Sequence, residues 1–226
     1  MRNLGVDRST PEDIVGHPRL HVMDHPLVHH HLANLRDKTT PSAEFRRLIH
    51  RLAMLVAYEA TDDLNLATCT IETPIESVEG HRLRGRIGLV PILRAGLGMV
   101  DAVHELIPDA EVWHLGLYRD EATATPVQYY SKLPNHDPLD VALILDPMLA
   151  TGGSLLAAYE KLKDWGVSKI KMVSIIAAPE GTRRLLDETD AEIHVCAMDR
   201  CLNAQKFIVP GLGDAGDRTF RTAGES

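Results

Sequence analysis

The sequence predicts an α/β fold: a mainly parallel sheet with flanking helices. Short all-apolar runs alternate with helical patterns, and those runs are apolar on both sides instead of alternating apolar with polar, as strands covered on both faces must be. Arg86 to Leu93 reads as the first buried strand and Ala95 to Leu106 as the helix after it. Glu111 to Tyr118 and Val141 to Leu145 read as the second and third strands, and Ser154 to Trp165 as a helix closed by Gly166. Lys171 to Ala177, a helix over Gly181 to Thr189, and a last strand from Glu192 to Met198 complete the alternation. Ahead of them, Phe45, Leu48, Ile49, Leu52, Leu55 and Val56 recur at three- and four-residue steps and give one apolar helix face. Thr40 is the expected cap of that helix, and Pro41 suits its first position, where no N–H is needed. Met1 to Leu20 is polar, carries Pro11, Gly16 and Pro18, and reads as a loosely ordered extension. No repeat or low-complexity linker divides the chain, so one domain over residues 1–226 is expected.

Composition narrows the function. The 226 residues are 44% hydrophobic and 25% charged, which suits a globular core without staples. The net charge of −8, with no block of Lys and Arg, argues against nucleic acid as a general partner, because phosphate contacts need local positive charge. Cys69, Cys196 and Cys201 form no CxxC pair and read as reduced thiols of a cytoplasmic protein. No apolar run reaches the roughly 18 residues of a membrane span. The run His29-His30-His31 looks like a metal site, but neighbours on a helix point about 100° apart and cannot share one ion.

The most informative stretch is VALILDPMLATGGS, from Val141 to Ser154. An apolar strand ends in Asp146, and a loop then leads through Thr151-Gly152-Gly153-Ser154 into a helix. The two glycines let the backbone approach a ligand and point N–H groups inward. Thr151 and Ser154 add hydroxyls, and the helix N-terminus contributes about half a positive charge. Such a turn suits a phosphate monoester, with Asp146 placed to hold the vicinal hydroxyls of a ribose. The plainer alternative is a tight strand-to-helix turn with a serine cap. No Gly-Lys-Ser/Thr follows, so it is not a Walker loop.

A strand, an acid and a TGGS loop resemble the donor loop of the type I phosphoribosyltransferases. Asp146 followed by Pro147, in the string DPMLATGGS, resembles the uracil phosphoribosyltransferase branch, which three further strings support: VPILRAGLGM (Val90–Met99), GLYRDE (Gly116–Glu121) and IVPGLGDAGDR (Ile208–Arg218). The resemblance covers about His25 to Thr222. It implies the type I phosphoribosyltransferase fold, with a flexible arm and a C-terminal base-binding hood. It also implies transfer of 5-phosphoribosyl from 5-phospho-α-D-ribose 1-diphosphate (PRPP) to N1 of uracil, giving UMP and diphosphate in UMP salvage.

Residue roles follow from the same strings. Arg94 sits in a turn with Gly96 and Gly98, where a guanidinium suits pyrophosphate; by resemblance it binds that part of PRPP, the alternative being a pair with a surface carboxylate. Arg119 opens a stretch to about Pro138 that reads as an arm closing over a ligand, and by resemblance it contacts PRPP. Ala122 and Ala124 depart from the family pattern there. The resemblance places PRPP on Asp146, Pro147, Met148, Leu149, Ala150, Thr151, Gly152, Gly153 and Ser154, and on Asp214. Pro210 to Arg218 holds three glycines and reads as neither helix nor strand but as a shaped loop that matches the uracil edge by backbone groups. Cytosine would face a donor there with a donor, at a cost of about 1–3 kcal/mol. By resemblance Ile208, Gly213, Asp214 and Ala215 line the uracil site. Phe207 stands where tyrosine is common and Arg221 where glycine is usual.

The implied chemistry is electrostatic: Arg94, Arg119 and Mg²⁺ stabilise departing diphosphate, with Asp146 and Asp214 as the other catalytic residues. Mg²⁺ is held mainly by substrate, helped by Asp146 or Asp214. No general base for uracil N1 is assigned. The competing reading is a ligand-sensing regulator on the same scaffold that binds RNA and controls pyrimidine genes; an enzyme for orotate or a purine is a third. The apolar helix and family habit imply a homodimer or homotetramer, and GTP enters as a candidate effector known for some relatives.

Overall fold

The computed structural model describes residues 14–119, 126–131 and 137–222. The chain opens with β1 (Leu20–Val22), α1 (Pro26–Arg36) and α2 (Ser42–Ala60), followed by a hairpin of β2 (Leu66–Glu72) and β3 (Ser77–Leu83). Next come β4 (Ile87–Pro91), α3 (Leu97–Leu106), β5 (Glu111–Val112) and a second hairpin of β6 (Leu115–Arg119) and β7 (Pro126–Ser131). The central unit is β8 (Val141–Leu145), β9 (Met148–Leu149), α4 (Gly153–Trp165), β10 (Lys169–Ala177), α5 (Pro179–Glu188) and β11 (Glu192–Met198). The chain ends in β12 (Cys201–Leu202), β13 (Ile208–Val209) and α6 (Ala215–Phe220).

The main sheet runs β1-β11-β10-β8-β4-β5, all parallel, with β9 also pairing β10. β8 shows why its residues are apolar on both sides. Val141, Leu143 and Leu145 pack into the core under α1, α2 and α3, while Ala142 and Ile144 pack into the core under α4 and α5. Val141–Leu145 and Glu192–Met198 keep the bounds expected from sequence.

Other expectations need correction. Thr40 does not cap α2: its hydroxyl donates to the Asn34 carbonyl, and Pro41 takes the cap position without a side-chain bond. The single strand expected over Glu111 to Tyr118 divides into β5 and β6. β4 ends at Pro91, so beyond an isolated bridge from Ile92 to Leu115 the chain finds no parallel neighbour and pairs with β7. The β2–β3 hairpin was not foreseen, because its outward-facing residues carry no buried-strand signature. The three cysteines are free; burial pushes the Cys196 thiol up to about 12.

The extension also orders earlier than expected, from Ile14 onward, while residues 1–13 lie outside the described residues. Ile14 and Leu20 are buried, and β1 adds an edge to β11. Arg19 anchors this edge by donating to the carbonyls of Leu186 and Thr189, which the end of α5 leaves without helical partners, and to that of Ala191 just beyond it. Arg19→Ala should cost about 1–3 kcal/mol, since it strands partly buried carbonyls. In a chain of this size that lowers the unfolding midpoint by about 2–12 °C; a midpoint unchanged in calorimetry would show the contacts to be idle.

Candidate active site

In a parallel sheet ligands bind beyond the carboxyl ends of the strands. Here the ends of β8 and β4 lie side by side, with Pro91 opposite Leu145. The chain leaving β4 folds back on β8: the Ile92 amide donates to the Leu145 carbonyl at 2.9 Å, and Gly96 comes so close that a Cβ there would meet the same oxygen at 2.3 Å. That packing carries Arg94, preceded by a cis Leu93–Arg94 peptide, next to the turn that begins at Asp146.

Asp146 ends β8. Its carboxylate accepts the Met148 amide at 3.1 Å, and burial pushes its pKa up to about 7. β9 pins the next residues to β10, with Met148 opposite Ile176 and Leu149 opposite Ala177. Gly152 then takes the left-handed conformation, φ 76°, as the N-cap of α4. Its cap carries no side-chain bond, which corrects the alternative of a serine-capped turn. Among the described residues, no protein group accepts from the amides of Thr151, Gly152, Gly153 or Ser154. A turn of open amides at a helix N-terminus is built for an anion.

Sequence reasoning missed what supports this turn. Gly181, in the first turn of α5, lies against it: a Cβ on Gly181 would meet the Ala150 carbonyl at 2.1 Å, and one on Gly152 would meet the Gly181 carbonyl at 2.9 Å. Any side chain at Gly181 would displace the Ala150–Gly152 backbone. The available signal was the glycine two residues after Pro179, an uncommon choice inside a helix.

The C-terminal loop approaches the same place from the hood. Arg36 from α1 pairs with buried Asp199 and donates to the Gly211 carbonyl at 2.7 Å, while Asp199 accepts the Gly211 amide at 2.9 Å. Arg218 donates to the carbonyls of Leu35, Asp37 and Leu212 and lies over the Phe45 ring, its guanidinium 4.3 Å from the centroid. The loop is thus held at its root, leaving Gly213 at φ 81° and Asp214 forward. Ile208 and Ala215 are buried beneath it. The expectation that Pro210 to Arg218 forms no regular structure is corrected: Ala215 opens α6, and Asp214 caps it by accepting the Asp217 amide at 2.8 Å. Arg221 closes α6 at φ 57°, a left-handed position where glycine is unstrained. Phe207, half-exposed, stands at the rim.

Arg94 joins the two halves. It donates to Thr222 Oγ1 at 3.0 Å and to Asp217 Oδ1 at 3.1 Å. Hydrogen bonds from Thr222 and Arg94 hold the Asp217 carboxyl below the usual carboxylate range. The pairing of Arg94 with a carboxylate is therefore real, yet the partner belongs to the hood, at the mouth of the cleft. Asp146 to Ser154, Arg94, Asp214, Ile208, Gly213 and Ala215 come together at one end of the sheet. Arg119 ends β6, and the tip of the expected arm, with Ala122 and Ala124, lies outside the described residues.

The described residues contain no helix long and apolar enough to cross a membrane. Comparison with known proteins agrees with the geometry. A family model described as uracil phosphoribosyltransferase matches residues 22–222. A uracil phosphoribosyltransferase from Roseiflexus sp. (strain RS-1) is 56% identical over 202 residues, covering 89% of this chain and 97% of the relative. Another, from Natranaerobius thermophilus, is 51% identical over 206 residues, 90% of this chain and 99% of the relative. The solved structure of the AQ2163 protein from Aquifex aeolicus superposes with a TM-score of 0.86 at 36% identity, covering 91% of this chain and all of that one. The family match spans both the open turn at Thr151 and the hood loop at Asp214, and the chain belongs to the uracil phosphoribosyltransferase family.

Proposed function

We propose that this chain transfers the 5-phosphoribosyl group of PRPP to N1 of uracil, giving UMP and diphosphate, as a cytoplasmic enzyme of UMP salvage. The observation that carries this reading is the turn from Thr151 to Ser154, whose amides are left without protein acceptors among the described residues, next to the carboxylate of Asp146. In it the 5′-phosphate takes those amides, and Asp146 takes the ribose hydroxyls. Arg94 leaves Asp217 to grip the diphosphate, joined by Arg119 from the end of β6. The backbone from Gly213 to Ala215 reads the uracil edge.

Membership of the family implies a divalent metal cofactor. The donors fit Mg²⁺. Asp146 spends only one protein hydrogen bond, from the Met148 amide, and Asp214 stands forward on the hood, so each offers hard oxygens while the substrate supplies the rest. When bound, the ion neutralises charge that builds on the departing diphosphate. Residues of this chain orient the reactants around it.

Assembly as a homodimer or homotetramer belongs to the same proposal. Leu66, Ile75, Val78 and Leu83 of the β2–β3 hairpin are exposed, and a two-stranded ribbon is marginal in water unless something packs on it. GTP is retained as a candidate effector, read by adding it to the assay below.

Uracil, PRPP and Mg²⁺ should yield UMP, and Arg94→Ala should lower turnover by about tenfold or more with the fold intact. No UMP would favour the RNA-binding regulator, and unchanged kinetics would remove Arg94 from the mechanism. Asp146 adds a signed pH dependence. Its folded pKa of about 7 lies above the ordinary 3.8, so the ionised form costs stability in full above about pH 7, and the cost vanishes below about pH 4. Donor binding needs the carboxylate, so the PRPP KM should fall as pH rises from 6 to 8. Asp146→Asn should lose that dependence, bind PRPP weakly, and be at least as stable as the native chain at pH 8. A variant keeping the native profile would dissociate Asp146 from the donor.

A further inference from the structure

Far from the turn at Thr151, the described residues hold one further group of metal-ligating side chains: His21 on β1, with Glu192 and His194 on β11. Their ligand atoms all lie within 4.8 Å of one another. The parallel register sets His21 beside His194, and the rings stack with centroids 4.4 Å apart and planes 8° from parallel. Glu192 precedes His194 by two residues and so shares its face of the strand. Glu192 and His194 occupy the amino-terminal half of β11, whereas the donor site lies at the carboxyl ends.

His194 is the telling residue. It is 3% exposed, yet neither Nδ1 nor Nε2 has a hydrogen-bond partner. Its nearest carboxylate oxygen, Glu192 Oε2, is 3.5 Å from Nε2, too far and too poorly directed to serve. A buried imidazole left so is destabilising, and a ligand that takes its lone pair would offset part of that.

The geometry points to a divalent transition-metal site formed by His21, Glu192 and His194, taking Zn²⁺ and stapling the edge strand β1 to β11. Two imidazole nitrogens and one carboxylate suit Zn²⁺ or Ni²⁺, whereas Mg²⁺ prefers oxygen alone. Stacked rings aim their lone pairs in parallel, so one ring must turn. His21, partly exposed on the edge strand, is free to do so while buried His194 stays in place. The opposing force is Lys171, fully buried, whose ammonium lies 2.9 Å from Glu192 Oε2 and 2.7 Å from Asp63 Oδ1. Lys169 also pairs with Asp63. These two lysines are balanced by Asp63 and Glu192, so the ion enters a locally neutral cluster and shares Glu192 with Lys171.

The test is calorimetric titration of the chelator-treated full chain with ZnCl₂ in the presence of Mg²⁺, paired with Co²⁺ absorption spectra. One ion per chain should bind, Mg²⁺ should not compete, and Co²⁺ should give visible bands of nitrogen and oxygen coordination. His21→Gln, at the accessible edge, should weaken binding by about tenfold or more, as should His194→Gln. UMP formation by His21→Gln should be unchanged, because His21 lies away from the donor site. Binding equally tight in both variants would assign the ion elsewhere. No binding by the native chain would leave the stacked pair as a neutral core contact. Either result overturns the site.

Discussion

The proposed donor site depends on a few backbone amides being kept free of protein partners at the start of α4. That state is hard to maintain in a packed interior, because an amide without water or an acceptor is costly. The chain manages it by shape. Gly152 turns left-handed so that the turn curls around an open space, and Gly181 supplies a surface without a side chain against which the turn rests. β9 fixes the near end of the same segment to β10, and the Leu149 carbonyl accepts the Ala178 amide at 2.8 Å. The anion receptor is therefore assembled from backbone, and its rigidity comes from contacts to the strand and helix behind it.

The second constraint is that, in the proposed reaction, donor and base must meet although the segments assigned to them are distant in the sequence. Pairing of β4 with β8 places Arg94 next to Asp146, and the hydrogen bonds from Arg94 to Asp217 and Thr222 carry the link into the hood. Arg36 of α1 donates to the Gly211 carbonyl at the root of the loop, and Arg218 ties the hood to the Leu35 carbonyl of α1 and to the Phe45 ring of α2. If Arg94 leaves Asp217 to meet diphosphate, as proposed, one contact of α6 loosens, which would couple the proposed donor site to the hood loop.

The sheet was legible in the sequence because strands buried on both faces need uninterrupted apolar residues, as in Val141–Leu145 and Glu192–Met198. The turn at Thr151 to Ser154 was legible because paired glycines after a strand-end acid open a helix without a side-chain cap. What escaped is contact made across the fold. Gly181 matters only because the Ala150 carbonyl, distant in the sequence, lies against it once β9 pairs with β10, and nothing in its own neighbourhood announces that. Arg36 and Asp199 are 163 residues apart, and Asp217 gains its role only once α6 reaches Arg94. The helical turn at Ala215 was hidden because the surrounding glycines obscured the cap that Asp214 provides. Thr40 misled for the opposite reason: a suitable capping residue stood in place, but the Asn34 carbonyl claimed its hydroxyl.

The most direct test of the account is amide NMR of the ¹⁵N-labelled chain titrated with ribose 5-phosphate, which carries the phosphate without base or diphosphate. The account predicts large, saturable downfield shifts at Thr151, Gly152, Gly153 and Ser154, with smaller changes elsewhere. Unmoved resonances at those four residues, with shifts appearing at another helix N-terminus, would contradict it.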